Sequence, residues 1–334
     1  MTTTTTRRST LTKRRRTPYK AKQARHRKWD SSYNASAPGE IIKGSDVAEA
    51  SASFRKSISQ TYDGMHVSHW QHLEHRRQDI TAKLFQLTLA IGMMPEQVAA
   101  VVATAIPKAT TGFRTVGSFA AYYRMLMRTC SPLLKQWEAA HPNKHFSFTA
   151  GKSAVLTVWA QAAEQELTSA IGRPSSATIL WDLSDFYEGM CRSRLLARGI
   201  EQGLPAGLAH LSISAYSGER VQTLNGCATS AGYPSKGVVA GCGAATYHVQ
   251  VYHTPPINKF MTAHGQMGLN IHIDDLALAA TGRSDEKVLE KISEGAAALQ
   301  GIIHDDLGSH ISIPKANLVA TSDSLRKRVG KPLA

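Results

Sequence analysis

The sequence predicts an α/β fold of the α+β kind, in which helices pack against an antiparallel sheet. The strongest strand signal is Leu269–Thr281, where apolar and polar residues alternate, the alternation breaks at Asp274-Asp275, and it then resumes. This pattern predicts a hairpin of two buried strands that carries both carboxylates at its tip. Helical periodicity over Phe119–Ala140 and Ala154–Ile171 predicts two of the packed helices.

Composition separates a globular body from a basic tail. The chain has 334 residues, of which 42% are hydrophobic and 19% are charged, so it is long enough to bury a full core. Residues 1–30 contain eleven Lys or Arg and one acid, Asp30, and hold +10 of the formal net charge of +14. Tails of this composition usually bind nucleic acid. Lys13–Arg16 also fits a nuclear import signal, whereas the Arg- and Thr-rich start suits an organelle transit peptide, so nuclear and organellar locations both stay open.

The sequence argues against a membrane protein and against a secreted one. No apolar run reaches membrane-spanning length, and no secretory leader is recognisable. The four cysteines, Cys130, Cys191, Cys227 and Cys242, lack C-x-x-C spacing, which indicates a reduced, intracellular protein without a structural zinc.

Taken in order, residues 1–58 are rich in Thr, Ser, Lys and Arg and then in Ser, Ala and Gly, which predicts a disordered basic tail. Met65–Ile91 then has helical periodicity and carries histidines at a spacing of three: His66, His69, His72 and His75. Zinc ligation is one interpretation of this row, and a partly exposed helix without a metal is the other.

Residues 59–175 are predicted to form a helical region that carries a basic hairpin. A helix is expected over Glu96–Val102, directly after a proline that suits a helix start. Two extended pieces around Thr110–Gly112 then predict a hairpin with Lys108 and Arg114 on it.

Residues 176–334 are predicted to alternate between strands and helices. The expected elements are a strand over Ala177–Trp181 that ends at Asp182, a helix over Ser184–Ile200, a helix over Val238–His253 that ends before Pro255-Pro256, the acidic hairpin, a helix capped by Ser284, and strands over His310–Lys315 and Ala316–Thr321.

Three acids therefore stand at strand ends: Asp182 in the first strand, and Asp274 and Asp275 at the hairpin tip. Two carboxylates about 4 Å apart repel by about 4 kcal/mol at an effective dielectric of about 20, so a fold that gathers them needs protons or a cation. Together they offer the oxygen ligands that Mg²⁺ takes in combination with substrate phosphates. A plain surface turn is the alternative for Asp274-Asp275, because Asp is a common turn residue.

The sequence resembles the reverse transcriptase domain of non-LTR (LINE-like) retrotransposons over residues 95–322. The likeness rests on six motifs in the family's order, namely two basic fingers motifs over Ile106–Lys108 and Arg114–Gly117, motif A over Asp182–Glu188, motif B over Gly232–Cys242, motif C over His272–Asp275 and motif D over Ser312–Ala316. The resemblance implies a right-hand polymerase fold, with fingers in residues 59–175 and a palm with an antiparallel sheet in residues 176–334.

The resemblance also implies an RNA-directed DNA polymerase that adds dNTPs to a primer on an RNA or DNA template by two-metal nucleotidyl transfer. The residues that it implies are Asp182, Asp274 and Asp275 for two Mg²⁺ or Mn²⁺ ions, Lys315 for protonation of the leaving pyrophosphate, Lys108 and Arg114 for the triphosphate, Tyr187 for selection against a ribose, and Lys236 and Gly237 for the motif B contact with the nucleotide. Lys and Arg suit the triphosphate because one offers a point charge and the other a planar fork of donors.

The sequence departs from the family at three of these motifs. Lys236 stands where Gln is common, His272 where an aromatic residue is common, and Thr115 where Pro is usual. The chain ends soon after motif D, so a thumb and an endonuclease segment are expected to lie outside it. The alternatives to a reverse transcriptase are an inactive remnant that binds nucleic acid through the tail, and an RNA-dependent RNA polymerase, which usually has a polar residue in the place of Tyr187.

Overall fold

The computed structural model describes residues 42–109, 112–229 and 232–330, and these belong to one compact unit. The α-helices are, in chain order, α1 Gly44–Ala52, α2 His75–Ile91, α3 Ala121–Thr129, α4 Ser131–Ala140, α5 Ala154–Ala170, α6 Phe186–Gly189, α7 Arg192–Glu201, α8 Ala206–Ser217, α9 Ala245–Ala263, α10 Asp285–Gly301 and α11 Asp323–Gly330. The strands are β1 Val101–Pro107, β2 Phe113–Phe119, β3 Ser175–Ser184, β4 Arg220–Leu224, β5 Cys227–Ala228, β6 Gly268–His272, β7 Asp275–Gly282, β8 His310–Ile311 and β9 Asn317–Ala320.

The strands form two sheets. The small sheet has the order β2-β1-β4-β5, with β1 antiparallel to β2 and parallel to β4. The central sheet has the order β6-β7-β3-β8, and β9 pairs with β3 on the same side as β8. All pairs in the central sheet are antiparallel. The predicted α+β class with an antiparallel central sheet is confirmed, whereas its division into fingers and palm stays a prediction.

One face of the central sheet is buried and the other is partly open. Along β3, Ile179, Trp181 and Leu183 are buried, while Leu180 between them is 39% exposed. Helix α10 packs against β7 and β3 through its own buried residues. Each large apolar side chain that is fully buried stabilises such a layer by about 1.5–3 kcal/mol. The acids on the alternate positions of β3 and β7 therefore belong to the open face.

The acidic hairpin is present as the sequence predicts. β6 pairs with β7 through a two-residue turn between His272 and Asp275. The outer edge of β6 is covered by the segment around Phe146, because Ile271 donates to the His145 carbonyl and accepts from the Ser147 amide. This pairing closes an edge that would otherwise expose free backbone groups.

Several predicted elements near the N-terminus differ in the structure. Helix α1 lies inside the segment predicted to be disordered, and that prediction is wrong for Gly44–Ala52 because Val47 and Ala50 are buried against neighbouring helices. Residues 1–41 lie outside the described residues. The helix expected over Glu96–Val102 is also wrong: only Glu96–Val98 forms a 3₁₀ turn, and Val101 already belongs to β1, which β2 and β4 pair from both sides.

Other helices are shorter than predicted. Val67–His72 is a 3₁₀-helix that precedes α2, and Phe119–Ala140 is divided at Cys130 into α3 and α4. Ser184–Ile200 becomes the short α6 and then α7. The last predicted strand pair is reduced to β8, a 3₁₀ turn over Ile313–Lys315 and β9.

Helix α9 contradicts the prediction most clearly, since Pro255 and Pro256 lie inside it and Val238–Ala244 precede it as loop. Proline has no N–H, so within a helix these two leave the carbonyls of Val251 and Tyr252 without their usual donors. Helix α7 and its end supply substitutes. Gln202 Nε2 donates to the Val251 carbonyl at 2.8 Å, and Arg198 Nη1 donates to the Tyr252 carbonyl. The helix continues because its neighbour satisfies the two freed groups.

Within the described part of the chain, no helix combines the length and the apolar character needed to cross a bilayer.

Candidate active site at the tip of the central sheet

The tip of the central sheet brings together the three acids that the sequence singles out. Asp182 in β3 is the direct cross-strand partner of Asp275 in β7. The backbone N–H of Leu183 donates to the Asp274 carbonyl at 2.9 Å, which joins the turn to β3. Opposed residues of an antiparallel pair have Cβ atoms about 4.5–5.5 Å apart, so the side chains of Asp182 and Asp275 share one patch.

Strand alternation directs these carboxylates to the open face of the sheet. Trp181 and Leu276 are cross-strand partners and are both buried, so the next pair, Asp182 and Asp275, projects to the opposite side. The site therefore depends on the pairing register of β3 and β7. A slip of one residue in either strand would turn an acid into the core.

The turn that carries Asp274 has an unusual backbone. Ile273 and Asp274 are its two central residues, and Ile273 has φ of 60°. Positive φ at the first central position alone is the pattern of a type II′ turn, which favours Gly there. A β-branched residue in this region is strained by about 1–3 kcal/mol. Strain of this kind is common where a side chain must be held in one place, here the carboxylate of Asp274.

Lys315 supplies positive charge to the acids. Its Nζ donates to Asp182 Oδ1 at 2.8 Å, and the Ser312 amide donates to the Asp182 carbonyl at 2.9 Å, which holds the lysine segment against β3. The hydrogen bond to Asp182 raises the pKa of Lys315, and the charge of that carboxylate raises it further. Lys315 is therefore an ammonium group at neutral pH.

The carboxyl of Asp275 shows the electrostatic cost of gathering the acids. Its pKa is raised, first by partial burial and then by the negative charges of Asp274 and Asp182. The charges of His272 and Lys315 lower it in part. A cation brought to this patch is thus stabilised by carboxylates that repel one another without it.

Tyr187 lies next to both the acids and the motif B loop. Burial raises the pKa of its phenol, and the charges of Asp274 and Glu188 raise it further, which marks their proximity to the ring. On the other side, the Val238 N–H donates to the Tyr187 carbonyl at 2.8 Å. The aromatic side chain thus belongs to the same site as the hairpin tip.

Gly237 allows the motif B loop to touch the backbone of Glu188, the last residue of motif A. Its φ is 92°, and a Cβ at this position would lie 2.9 Å from Glu188 Cα and from the Glu188 carbonyl oxygen. Its N–H donates to the Met190 carbonyl at 2.8 Å. Lys236 beside it is exposed to solvent. A side chain on residue 237 would force the loop away from Tyr187.

Lys108 and Arg114 lie on the small sheet and not at the acids. Arg114 is the register partner of Ile106 in the β1–β2 hairpin, and the Lys108 N–H donates to the Gly112 carbonyl. Both side chains are exposed, and neither lines the cleft at Asp182. The hairpin itself reaches motif B, because a Cβ on Gly117 would clash with Val239.

The sequence singles out two sets of possible metal ligands, the histidine row and the three acids. No group of three or more His, Cys, Asp or Glu side chains in the described ranges, the His66–His75 row included, is arranged to hold a metal ion as it stands. His66 has both ring nitrogens engaged, with Ser68 Oγ and with the Ile58 carbonyl. The acids differ from that row, because Mg²⁺ usually takes one or two carboxylates and completes its shell with water and substrate phosphates. Asp182, Asp274 and Asp275 offer carboxylates at the same sheet tip.

Some features of the candidate site are not evident from the sequence. A cleft of about 370 Å³ lies at Asp182 and Asp275, and Val158 and Gln161 of α5 are among the residues that line it. His272 is held by Ser147, with 3.1 Å between Nδ1 and Oγ. Nothing in the local pattern of residues 145–161 indicates that this segment lies beside the hairpin. The only sequence signal for His272 is its position next to the acids.

A mixed α/β fold with an acidic site on an antiparallel sheet is the class of protein that these observations define. No protein-family model matches the chain, and no curated protein matches its sequence. Among solved structures, the chain is similar to apo telomerase from Candida tropicalis truncated from the C-terminal domain, with a TM-score of 0.49 and 11% sequence identity. The match covers 74% of this chain and 56% of that one, so the chain spans little more than half of the telomerase structure. The functional assignment therefore depends on the geometry of the site.

Proposed function

We propose that the protein is a reverse transcriptase of the retrotransposon type, an RNA-directed DNA polymerase that adds dNTPs to a primer on an RNA or DNA template. One observation carries the proposal: Asp182 and Asp275 are cross-strand partners on the open face, Asp274 occupies the turn beside them, and Lys315 is bonded to Asp182. Distant segments of the chain thus supply three carboxylates and one ammonium group to one patch. The motif resemblance gives this patch its proposed chemistry.

Asp182, Asp274 and Asp275 are the residues that would hold Mg²⁺ or Mn²⁺. Two such ions, when bound, activate a hydroxyl group and stabilise charge on a leaving pyrophosphate. The raised pKa of Asp275, caused by burial and by the neighbouring acids, supports a patch that gains from added positive charge. In the reaction, the primer 3′-hydroxyl gives its proton to water and its oxygen forms a bond to the α-phosphorus, while the bond from that phosphorus to the bridging oxygen breaks and pyrophosphate leaves.

Lys315 is proposed to protonate the departing pyrophosphate. Its ammonium group is exposed to solvent, and the hydrogen bond to Asp182 favours the protonated form further by raising its pKa. A general acid contributes most when it lies within hydrogen-bond reach of the group it protonates. The contact with Asp182 supports a position within that reach.

The nucleotide is proposed to lie between the acids and the motif B loop. Tyr187 would obstruct a ribose 2′-hydroxyl. Gly237 would allow the nucleotide to approach the loop backbone closely, and Lys236 would contact the nucleotide from the same loop. Lys108 and Arg114 would bind the triphosphate from the β1–β2 hairpin. Their exposure on a hairpin tip supports this role, since charged side chains there are free to meet phosphates.

The basic tail is proposed to hold nucleic acid, in the nucleus or in an organelle. Its eleven Lys or Arg within thirty residues give the charge density that phosphate backbones attract.

A primer-extension assay tests the proposal. The full chain, an RNA template with a labelled DNA primer, Mg²⁺ and dNTPs are combined, and Asp274→Asn is compared with the unchanged protein. We expect extension to fall about 100-fold or more, the scale on which loss of one charge-stabilising group lowers kcat. Asp305→Asn is the matched control, because Asp305 belongs to the chain's other Asp-Asp pair and its Oδ1 pairs with the Nδ1 of the adjacent His304.

The same assay separates the alternatives. Extension that is absent, or that survives Asp274→Asn, contradicts the proposal and favours a binding protein. Preference for rNTPs over dNTPs indicates an RNA polymerase. Replacement of Tyr187 by Ala should relax the choice between the two sugars if its ring obstructs the 2′-hydroxyl.

A further inference from the structure

Arg192 is a buried cation whose guanidinium donates hydrogen bonds to backbone carbonyls, and not to carboxylates. It is the first residue of α7 and only 8% of it is exposed. Its Nε donates to the Gly237 carbonyl, Nη1 to the Pro234 carbonyl and Nη2 to the Lys236 carbonyl, each at 2.8 Å. Nη1 also donates to Ser217 Oγ at 3.3 Å. One guanidinium thus holds three carbonyls of the motif B loop.

This arrangement has an electrostatic cost. Burial lowers the pKa of Arg192 to about 10, and the nearby charge of Arg220 adds to the effect. A buried charge without an ionic partner is stable only where hydrogen bonds offset its desolvation. The loop provides them, because residues 233–239 form neither helix nor strand and their carbonyls have no ladder to join.

The loop that Arg192 holds is the one that borders Tyr187. On its other side the same loop donates from Gly237 N to the Met190 carbonyl and from Val238 N to the Tyr187 carbonyl, both at 2.8 Å. The loop is thus fixed from two sides, by α7 through Arg192 and by the backbone that carries Tyr187. The planar fork of arginine matches three acceptors in one plane, which a single ammonium group does not.

We infer that Arg192 is a positioning residue for the deoxynucleotide, and that it holds Lys236 and Gly237 at a fixed distance from Tyr187. The inference rests on the proposed function and deepens it, because that distance sets the room available at the sugar. Arg192 itself touches neither the acids nor the expected nucleotide. Its effect is transmitted through the loop.

Hydrogen exchange of the full chain tests the positioning without any need for activity. In Arg192→Lys, we expect the amides of Gly237 and Val238 to exchange at least about 10-fold faster, because the loop loses charged hydrogen bonds that hold its carbonyls. The matched control is Arg198→Lys on the same helix. Arg198 is also largely buried, but its guanidinium binds Asp306 at 2.6 Å and the Tyr252 carbonyl, away from the loop. The control should leave the two loop amides unchanged.

Nucleotide kinetics test the functional consequence. With Arg192→Lys we expect KM for dNTPs to rise about 10-fold with a smaller change in kcat, and discrimination against rNTPs to fall, on the same hydrogen-bond scale. A merely structural role would lower kcat and the folded fraction together and would leave KM and the sugar preference as they are. Arg198→Lys should show neither change. Thermal unfolding of both variants checks that they are equally folded. If Arg192→Lys fails to fold, Arg192→Gln takes its place, because Gln places no charge in the buried position.

The two hypotheses fail in different ways. Loop amides that exchange equally fast in Arg192→Lys and in Arg198→Lys overturn the inference, whatever the activity. Faster exchange in a protein that shows no extension dependent on Asp274 overturns the proposed function and with it the nucleotide role of Arg192. Faster exchange with unchanged KM and sugar preference overturns the nucleotide role alone.

Discussion

Asp275 is the residue at which burial and neighbouring charge act most directly on the site. Its carboxyl has a raised pKa in the folded protein, so the folded state holds a proton more tightly than the unfolded chain does. The corresponding stability is fully present below the ordinary value of 3.8 and is lost as pH rises through the folded value. At neutral pH the folded protein therefore carries an ionised group that it disfavours.

Replacing Asp275 by Asn should stabilise the protein at neutral pH in the absence of divalent ions. We expect a gain below about 1 kcal/mol, because solvent screens this exposed carboxylate. The gain should shrink as pH falls and vanish below 3.8, where the native carboxyl is protonated as well. Urea unfolding across this pH range in EDTA measures it.

Added Mg²⁺ provides the control for that experiment. An ion that binds the folded protein stabilises it by mass action, so Mg²⁺ should reduce the advantage of the Asn variant. A variant that is less stable than the native protein at neutral pH would contradict the interpretation of Asp275 as a repelled group.

At the scale of elements, the β6–β7 hairpin stores strain in its turn. Ile273 has a left-handed backbone, in which Gly has no steric cost and other residues do. We therefore expect Ile273→Gly to be more stable than Ile273→Ala by about 1 kcal/mol. Chemical denaturation of both variants measures this difference in free energy of unfolding. Because both variants lack the isoleucine side chain, its loss does not contribute to the difference.

Ala277 in β7 is the control position for the hairpin. It lies in a regular strand with an ordinary backbone, so Ala277→Gly should lower the free energy of unfolding by about 0.5–1 kcal/mol. At this position Gly is thus expected to be less stable than Ala, the reverse of the order at residue 273. If Gly is the worse residue at both positions, the turn is not strained.

Elements whose signals are local were predicted correctly from the sequence. The acidic hairpin follows from alternation and a break at two acids, and α10 follows from Ser284, whose Oγ accepts from the Lys287 N–H. Elements that depend on distant partners were not. β1 exists because β2 and β4 pair with it, and α9 passes two prolines because Gln202 and Arg198 satisfy the freed carbonyls.

The same distinction applies to the candidate site. The sequence singles out the three acids, but the register that makes Asp182 the partner of Asp275 depends on the packing of the whole sheet. Arg192 gives no signal in the sequence, because its partners are backbone carbonyls forty-odd positions away whose residue types are irrelevant to the contact. Contacts of this kind become visible only when the chain is folded.

At the scale of the whole molecule, charge is concentrated at one end of the chain. Deletion of residues 1–30 removes ten units of net positive charge and leaves all the residues that the structure describes, from 42 onward, in the chain. Binding to a single-stranded oligonucleotide should weaken, and the slope of log K against log salt should fall by about 0.7 for each phosphate that the protein no longer neutralises. Fluorescence anisotropy over a salt series measures the slope.

A tail of equal length with its Lys and Arg replaced by Gln is the control for that deletion. Charge neutralisation and deletion should give the same slope if the tail acts through its cations alone. An unchanged slope in both would assign nucleic-acid binding to the folded body.

The two prolines of α9 have a consequence for motion. Only one longitudinal placement of α7 delivers donors to both the Val251 and the Tyr252 carbonyl. Sliding by one turn, about 5.4 Å, would leave both acceptors buried and unmet, at about 1–3 kcal/mol each. Helices α7 and α9 are thus expected to move as one rigid body whenever the protein changes conformation. Arg192 is the first residue of α7 and its guanidinium binds the loop of residues 233–239, so this loop should move together with α7 and α9. Any hinge therefore has to lie outside these two helices and the loop.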